Sequence, residues 1–166
     1  MDYTQYYHSP LGRITLASDG EALTGLWFDG QKHYAETLDR EHGESDLPVF
    51  AEAERWLDLY FSGEDPGFTP RLCLRGTPFR KTVWETLLTI PYGETVTYGE
   101  IAERMRLSRG SARAIGGAVG HNAISLIIPC HRVIGAGSSL AGYAGGIDRK
   151  AKLLEMERAK ERKGQR

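Results

Sequence analysis

Alternation of polar and apolar residues is confined to the first thirty positions of the chain, and helical spacing of apolar residues takes over from Leu47. Strands first and helices after point to an α+β fold. Tyr3, Gln5 and Tyr7 alternate with their neighbours, and Ser9-Pro10-Leu11-Gly12 then turns the chain. Arg13-Ile14-Thr15-Leu16 alternates as a half-buried strand does. Asp19-Gly20 is a hairpin signal, and Leu23 to Phe28 is rich in strand formers. Residues 30–46 are polar and read as a loop with one helical turn. Leu47, Phe50, Leu57, Tyr60 and Phe61 recur at helical spacing, Ser62-Gly63 stops them, and Arg71-Leu72-Cys73-Leu74 reads as a last strand. Residues 1–75 are therefore expected to form a small α/β support domain, an antiparallel sheet plus one helix.

Thr77-Pro78 opens a second, mainly helical domain over 76–166, with threonine as N-cap and proline at the first helical position. Phe79, Val83, Trp84, Leu87 and Leu88 lie on one face, and Pro91-Tyr92-Gly93 ends that helix. Thr97 and Glu100 have capping-box spacing ahead of Ile101, Ala102 and Met105. Ser108-Arg109-Gly110 turns into a third helix, 111–120, built from Ala112, Ala114, Gly116, Gly117 and Ala118 around one long polar side chain, Arg113. Two short helices joined by a glycine-containing turn have the helix-turn-helix outline. Small residues on the second helix suit either close approach to a narrow groove or tight packing between helices, and the residues leave the two evenly matched. Gly135 to Ser139 reads as a flexible loop, Leu140 to Gly146 as a glycine-rich stretch around Tyr143, and Asp148 as the cap of a final helix with Ala151, Leu153 and Leu154 inward.

Hydrophobic content of 40% and charged content of 26% fit a water-soluble globular protein. No apolar run nears the ~20 residues of a membrane span, and Met1-Asp2-Tyr3-Thr4 has no signal-peptide pattern. Two cysteines, Cys73 and Cys130, make neither a disulfide framework nor a CxxC zinc site, so a cytoplasmic location is expected. Charge is uneven. Residues 1–75 hold 6 Lys and Arg against 14 Asp and Glu, and residues 76–166 hold 15 against 8. A basic second half suits a polyanion.

The apolar run Ile124 to Ile128 reads as a short buried strand that stops at Pro129-Cys130-His131-Arg132-Val133. A cysteine attacks as the thiolate, so its pKa of ~8.5 must fall or a base must take its proton. Side chains adjacent on an extended segment point apart, so His131 needs a turn or a bridging water to serve Cys130. A third group should orient the imidazole, and Glu155 and Glu157 are both available. The residues by themselves leave an inert buried thiol and a nucleophile evenly matched.

The run PCHRV, behind an apolar stretch and Asn122, resembles the active-site signature of the O6-alkylguanine-DNA alkyltransferases. PYGETVTYGEIA at 91–102, SARAIGGAVGHN at 111–122 and GYAGGIDRKAKLLEME at 142–157 resemble the same family, in order and with matching spacing. The likeness covers the whole second domain. In the first it is limited to the α/β outline and LRGTPF at 74–79. It implies direct-reversal DNA repair. An alkyl group would pass irreversibly from O6 of guanine, and from O4 of thymine, in double-stranded DNA to Cys130, once per protein and with no cofactor.

The residue roles follow from the resemblance. His131 would take the thiol proton through a water, and Glu157 would hold its tautomer. Asn122 would brace the turn ahead of the active cysteine. Tyr98 would bond N3 of the guanine. Arg113 would fill the gap left by the flipped nucleotide, with Ala112, Gly116 and Gly117 against the minor groove. Tyr143 and Ala144 would wall the base pocket, and Val133 would offer a carbonyl to the exocyclic amine. A monomer is implied, with cooperative binding along DNA left open. Two positions depart from the family: Ala123 follows Asn122 where proline is frequent, and Ala144 stands where some members have serine. Some relatives bind zinc in the first domain. With Cys73 alone there and His8, His33 and His42 scattered, no metal is expected. The rival readings are a lesion-binding sensor without transfer activity, which would lack Cys130, and a cysteine hydrolase, which would need an oxyanion hole.

Overall fold

The structure, a computed structural model, describes residues 1–135 and 143–164. The loop and glycine-rich residues expected over 136–142 lie outside the described residues. Backbone contacts divide the chain into two compact units, 1–75 with 123–125, and 76–122 with 126–166.

In the first unit β1 (Asp2–Ser9), β2 (Gly12–Ser18) and β3 (Leu23–Phe28) form the antiparallel meander that the alternation implies. Ile14, Leu16, Leu26 and Phe28 are fully buried. A fourth strand, β4 (His42–Glu44), lies parallel to β1 and completes a mixed sheet in the order β3-β2-β1-β4. The polar stretch 30–46 is thus not only loop. β4 is held by main-chain pairing on a sheet edge, and His42-Gly43-Glu44 carries no apolar alternation to announce it. Only Leu72 of the expected strand 71–74 pairs, as an isolated bridge to Leu23.

Helix α1 (Pro48–Phe61) packs Phe50, Ala53, Leu57 and Tyr60 onto this sheet. It ends at Gly63, whose φ of 91° lets the N–H of Glu64 reach back to Leu59 O at 3.0 Å. Ala123–Ser125 belong to the same unit. Leu26 N–H donates to Ala123 O at 2.9 Å, and Ser125 N–H donates to Leu26 O at 3.0 Å.

The second unit is built from α2 (Pro78–Leu87), α3 (Tyr98–Arg104), α4 (Ala112–Gly120) and α5 (Ile147–Gly164), with a two-stranded parallel ladder of β5 (Val96–Thr97) and β6 (Val133–Ile134). Thr77 caps α2, its hydroxyl accepting Arg80 N–H. Thr97 caps α3, accepting Glu100 N–H at 3.1 Å. The turn after α3 is closed by Arg106, not by glycine. Its φ of 58° places Leu107 N–H on Ala102 O at 2.8 Å, the Schellman pattern. A 3-10 turn, Arg109–Ser111, then leads into α4. On α5 the buried face is Lys150, Leu153, Leu154 and Glu157. Ala151, expected inward, is exposed, and Asp148 sits within the first turn and not at the cap.

Trp84 joins α2 to α4. Its ring is 1% exposed and its Nε1–H donates to Ala118 O at 2.9 Å. A Cβ built on Gly76 would stand 2.7 Å from that ring. Gly76→Ala is expected to destabilise the protein by about 1–3 kcal/mol, the usual cost of overpacking a closed site. Denaturant unfolding measures it, and an unchanged midpoint would show that the ring can give way.

Candidate functional site

Residues 124–128 are buried as expected, but they are not a strand. Ile124 makes one bridge, to Leu26, and Leu126 then adopts a left-handed φ of 71° that breaks any extended run. A continuous apolar run marks burial, not backbone conformation. Pro129 sits at φ −80° and ψ 64°. Its neighbours close an inverse γ-turn, with Cys130 N–H donating to Ile128 O at 2.8 Å. Cys130–Arg132 continue as a single 3-10 turn. The chain is therefore turned, not extended, at Cys130 and His131.

Cys130 is 3% exposed. Asn122 fixes both ends of its loop, donating from Nδ2 to Ile128 O at 2.8 Å and to Cys130 Sγ at 3.1 Å. Burial pushes the thiol up to about 11, against the opposing pull of Asn122 and the Lys150 charge. The resting group is a protonated thiol, so reaction needs a base. His131 is fully buried, and burial holds its pKa below the usual imidazole range despite Glu157. Its Nε2 lies 2.5 Å from Glu157 Oε2. Nδ1 is the ring nitrogen on the side away from that carboxylate. Glu155 is exposed, which decides between the two glutamates.

The other carboxylate oxygen, Glu157 Oε1, accepts Arg132 Nε at 2.8 Å and Gly93 N–H at 3.0 Å. Burial works against the Glu157 charge, but His131, Arg132 and Gly93 together outweigh it and hold the carboxyl at about 2. Arg132 also donates from a terminal nitrogen to Ile90 O at 2.7 Å.

The β5–β6 ladder pairs Thr97 with Ile134 and Val96 with Val133, so the cap of α3 sits beside the strand that leaves the cysteine turn. Tyr98, next to that cap, is half-buried. Its pKa is raised by burial and then by Cys130. Val133 is buried in the ladder. Tyr143 is buried with its ring 6.4 Å from His131, nearly edge-on. Its hydroxyl has no hydrogen-bond partner among the described residues. Gly145 allows this placement, since a Cβ there would fall 2.4 Å from the Tyr143 ring. Ala144 is half-buried.

On α4, Arg113 and Gly117 are exposed, and Ala112 and Gly116 are half-buried. A Cβ on Gly117 would meet nothing within 4 Å, and one on Gly116 would make ordinary contact with the Tyr98 ring at 3.7 Å. Packing within the unit thus does not require glycine at 117, which removes the helix-packing account of that position.

Asn122 bonds Cys130 and Glu157 bonds His131, two pairs joined through the 130–131 backbone, while Arg113, Ala112 and Gly117 belong to a separate surface on α4. Two buried cations were not singled out from the sequence. Arg132 was visible within PCHRV but carried no role. Lys150, fully buried, lies two helical turns before Glu157, and that spacing on one helix face was the available signal.

Comparison with known proteins bears on what this group is. The DNA-binding domain model of 6-O-methylguanine DNA methyltransferase matches residues 78–159, and the ribonuclease-like domain model of the same protein matches residues 3–73. The methylated-DNA–protein-cysteine methyltransferase of Mycobacterium bovis is 49% identical over 152 residues, covering 92% of this chain and 90% of its own. The chain belongs to the 6-O-methylguanine DNA methyltransferase family.

The Haemophilus influenzae methylated-DNA–protein-cysteine methyltransferase is 42% identical over 157 residues, covering 94% of this chain and 86% of its own. Among solved structures, Mycobacterium tuberculosis OGT in complex with DNA superposes with a TM-score of 0.86 at 47% identity, covering 95% of this chain and 94% of that one. An O6-methylguanine DNA methyltransferase from Methanococcus jannaschii superposes with a TM-score of 0.63 at 28% identity, covering 93% of each chain. The α+β arrangement is thus the fold of this methyltransferase family.

The Glu157 carboxylate is held at about 2 against an ordinary 4.5. A depressed carboxyl stabilises the fold fully above its unfolded pKa and loses that contribution as pH falls through the folded value. Stability should therefore drop between about pH 4.5 and 2, and Glu157→Gln should remove much of that drop. Urea unfolding across the range measures it. Equal acid sensitivity in the parent and in Glu157→Gln would place the source elsewhere.

Proposed function

We propose that the chain repairs DNA by taking an alkyl group from O6 of guanine onto its own Cys130, irreversibly and once per molecule. The observation that carries this reading is the buried, protonated Cys130 thiol beside a neutral His131 anchored on an ionised Glu157. The sulfur attacks the alkyl carbon, the S–C bond forms as the C–O6 bond breaks, and the thiol proton passes to His131 Nδ1 through a water. The released guanine recovers its N1 proton from the surrounding donors and solvent, so protons and charge balance. Asn122 orients the sulfur from 3.1 Å, and its N–H supports the negative charge that develops there. The product is a thioether, which has no route back.

The O6 carbon of a stacked base is out of reach, so the nucleotide must leave the duplex. Arg113 is exposed at the start of α4 and has the length to fill the vacated space. Gly117 and its small neighbours let α4 press into the minor groove of double-stranded DNA, and an uncrowded glycine on an exposed face supports that role. Tyr98, half-buried beside the cap of α3, would bond N3 of the extruded guanine. Tyr143 would wall the pocket beside Ala144, its buried hydroxyl offering a polar contact, and the Val133 carbonyl would accept from the exocyclic amine. O4-alkylthymine, which presents the same ether chemistry, is a second substrate on this reading. Binding should weaken steeply with salt and depend little on sequence. Among the described residues no helix is long and apolar enough to cross a membrane.

Mass spectrometry after mixing with DNA containing O6-methylguanine should show one added methyl group on Cys130. None should appear on Cys130→Ala. Repeated turnover, or a methyl group elsewhere, would sink the proposal.

The DNA-facing surface has its own test. Arg113→Ala should slow repair of duplex DNA while leaving reaction with free O6-methylguanine near the parent rate. Gly117→Ala should keep or raise helix stability by up to about 1 kcal/mol yet weaken DNA binding. Equal losses on both substrates would remove Arg113 from base flipping, and unchanged DNA affinity in Gly117→Ala would remove α4 from the groove.

A further inference from the structure

Arg132 has no part in the transfer described above, yet it is 7% exposed and hydrogen-bonded through two of its nitrogens. Its Nε donates to Glu157 Oε1 at 2.8 Å, a terminal nitrogen donates to Ile90 O at 2.7 Å, and the guanidinium lies over the Tyr92 ring at 5.6 Å. Arginine is suited to this because its fork is rigid, so two bonds in fixed directions hold the whole plane. A carboxylate bonded only to an imidazole can swing about its own axis. With Oε1 pinned by Arg132 and Gly93 N–H, Oε2 keeps one direction, and that direction points at His131 Nε2.

We propose that Arg132 is the positioning residue of the proton relay: it fixes Glu157 so that His131 carries its proton on Nε2 and presents Nδ1 to the thiol, and its charge keeps the His131–Glu157 pair from binding an extra proton. The inference rests on the reading of Cys130 as alkyl acceptor with His131 as its base. A purely structural Arg132 would tie the 130–132 turn to the 90–93 turn and nothing more. The two roles separate by pH. His131 faces Glu157 and Lys150 from α5, Cys130 and Arg132 from its own turn, and the Tyr143 ring at 6.4 Å. Arg132 is bonded directly to the carboxylate, Nε to Oε1 at 2.8 Å.

The test is single-turnover transfer from DNA containing O6-methylguanine, followed against pH in the parent, Arg132→Met and Arg132→Lys, with unfolding measured alongside. In Arg132→Met the rate should fall by about tenfold or more, as when the partner orienting a functional histidine is lost. The acid limb should also move to higher pH, by about one unit, because the pair now protonates more readily. Arg132→Lys keeps the charge without the fork, so its acid limb should stay at the parent position while the rate falls. A folded Arg132→Met with the parent acid limb overturns the inference, whatever its rate. If Arg132→Met does not fold, ¹⁵N spectra of the parent imidazole decide: a proton on Nε2 supports the inference, and the opposite tautomer overturns it. Failure of the parent to methylate Cys130 is a different result, and it removes the underlying reading itself.

Discussion

The Glu157 carboxylate is 1% exposed and still ionised. A lone carboxylate in that position would take up a proton, since burial disfavours its charge. It keeps the charge because three donors converge on it: His131 Nε2 on one oxygen, and Arg132 Nε with Gly93 N–H on the other. Those donors come from two places, the 130–132 turn and the turn that follows α2. One buried anion therefore sets the positions of α5, the cysteine turn and the 90–93 turn at once. Such a network is stable only as a whole, and loss of one partner leaves a buried charge uncompensated at a cost of about 3–5 kcal/mol.

The same arrangement governs reactivity. Burial raises the Cys130 thiol to about 11, which makes it a poor nucleophile at rest. Burial also keeps His131 neutral, and Glu157 holds one face of its ring. On the proposed reading, a protonated thiol beside a neutral base reacts when an alkyl carbon is brought to the sulfur, and otherwise stays inert. For a protein that acts once, an unreactive resting state has clear value. Asn122 ties sulfur position to loop position by bonding both Cys130 Sγ and Ile128 O.

Much of this was legible in the residues. Thr77-Pro78 and Thr97 start helices where capping rules place them, and Ser62-Gly63 stops one. These signals are local, so they survive in the sequence. The family-like motifs picked out Cys130, His131, Asn122 and Glu157, which the structure pairs as Asn122 with Cys130 and Glu157 with His131. The errors share a cause. β4 is three polar residues recruited by the edge of β1, the run 124–128 is folded back at Leu126, and Arg106 takes a left-handed φ that its side chain does not announce. In each case partners distant in sequence decide the backbone, and no local propensity reports them.

By itself the sequence determined the order of strands and helices and the helix caps, because these depend on neighbours within a few positions, and its motifs singled out Cys130 by their likeness to a family. Tertiary structure decided which glutamate meets His131, since Glu155 and Glu157 are equivalent in one dimension and only the buried face of α5 separates them. It also decided that Gly117 is not there for internal packing, because empty space around a missing Cβ is a property of three dimensions. Arg132 is the clearest case. It is readable as part of PCHRV, but its meaning comes from Ile90 and Glu157, 42 and 25 residues away along the chain.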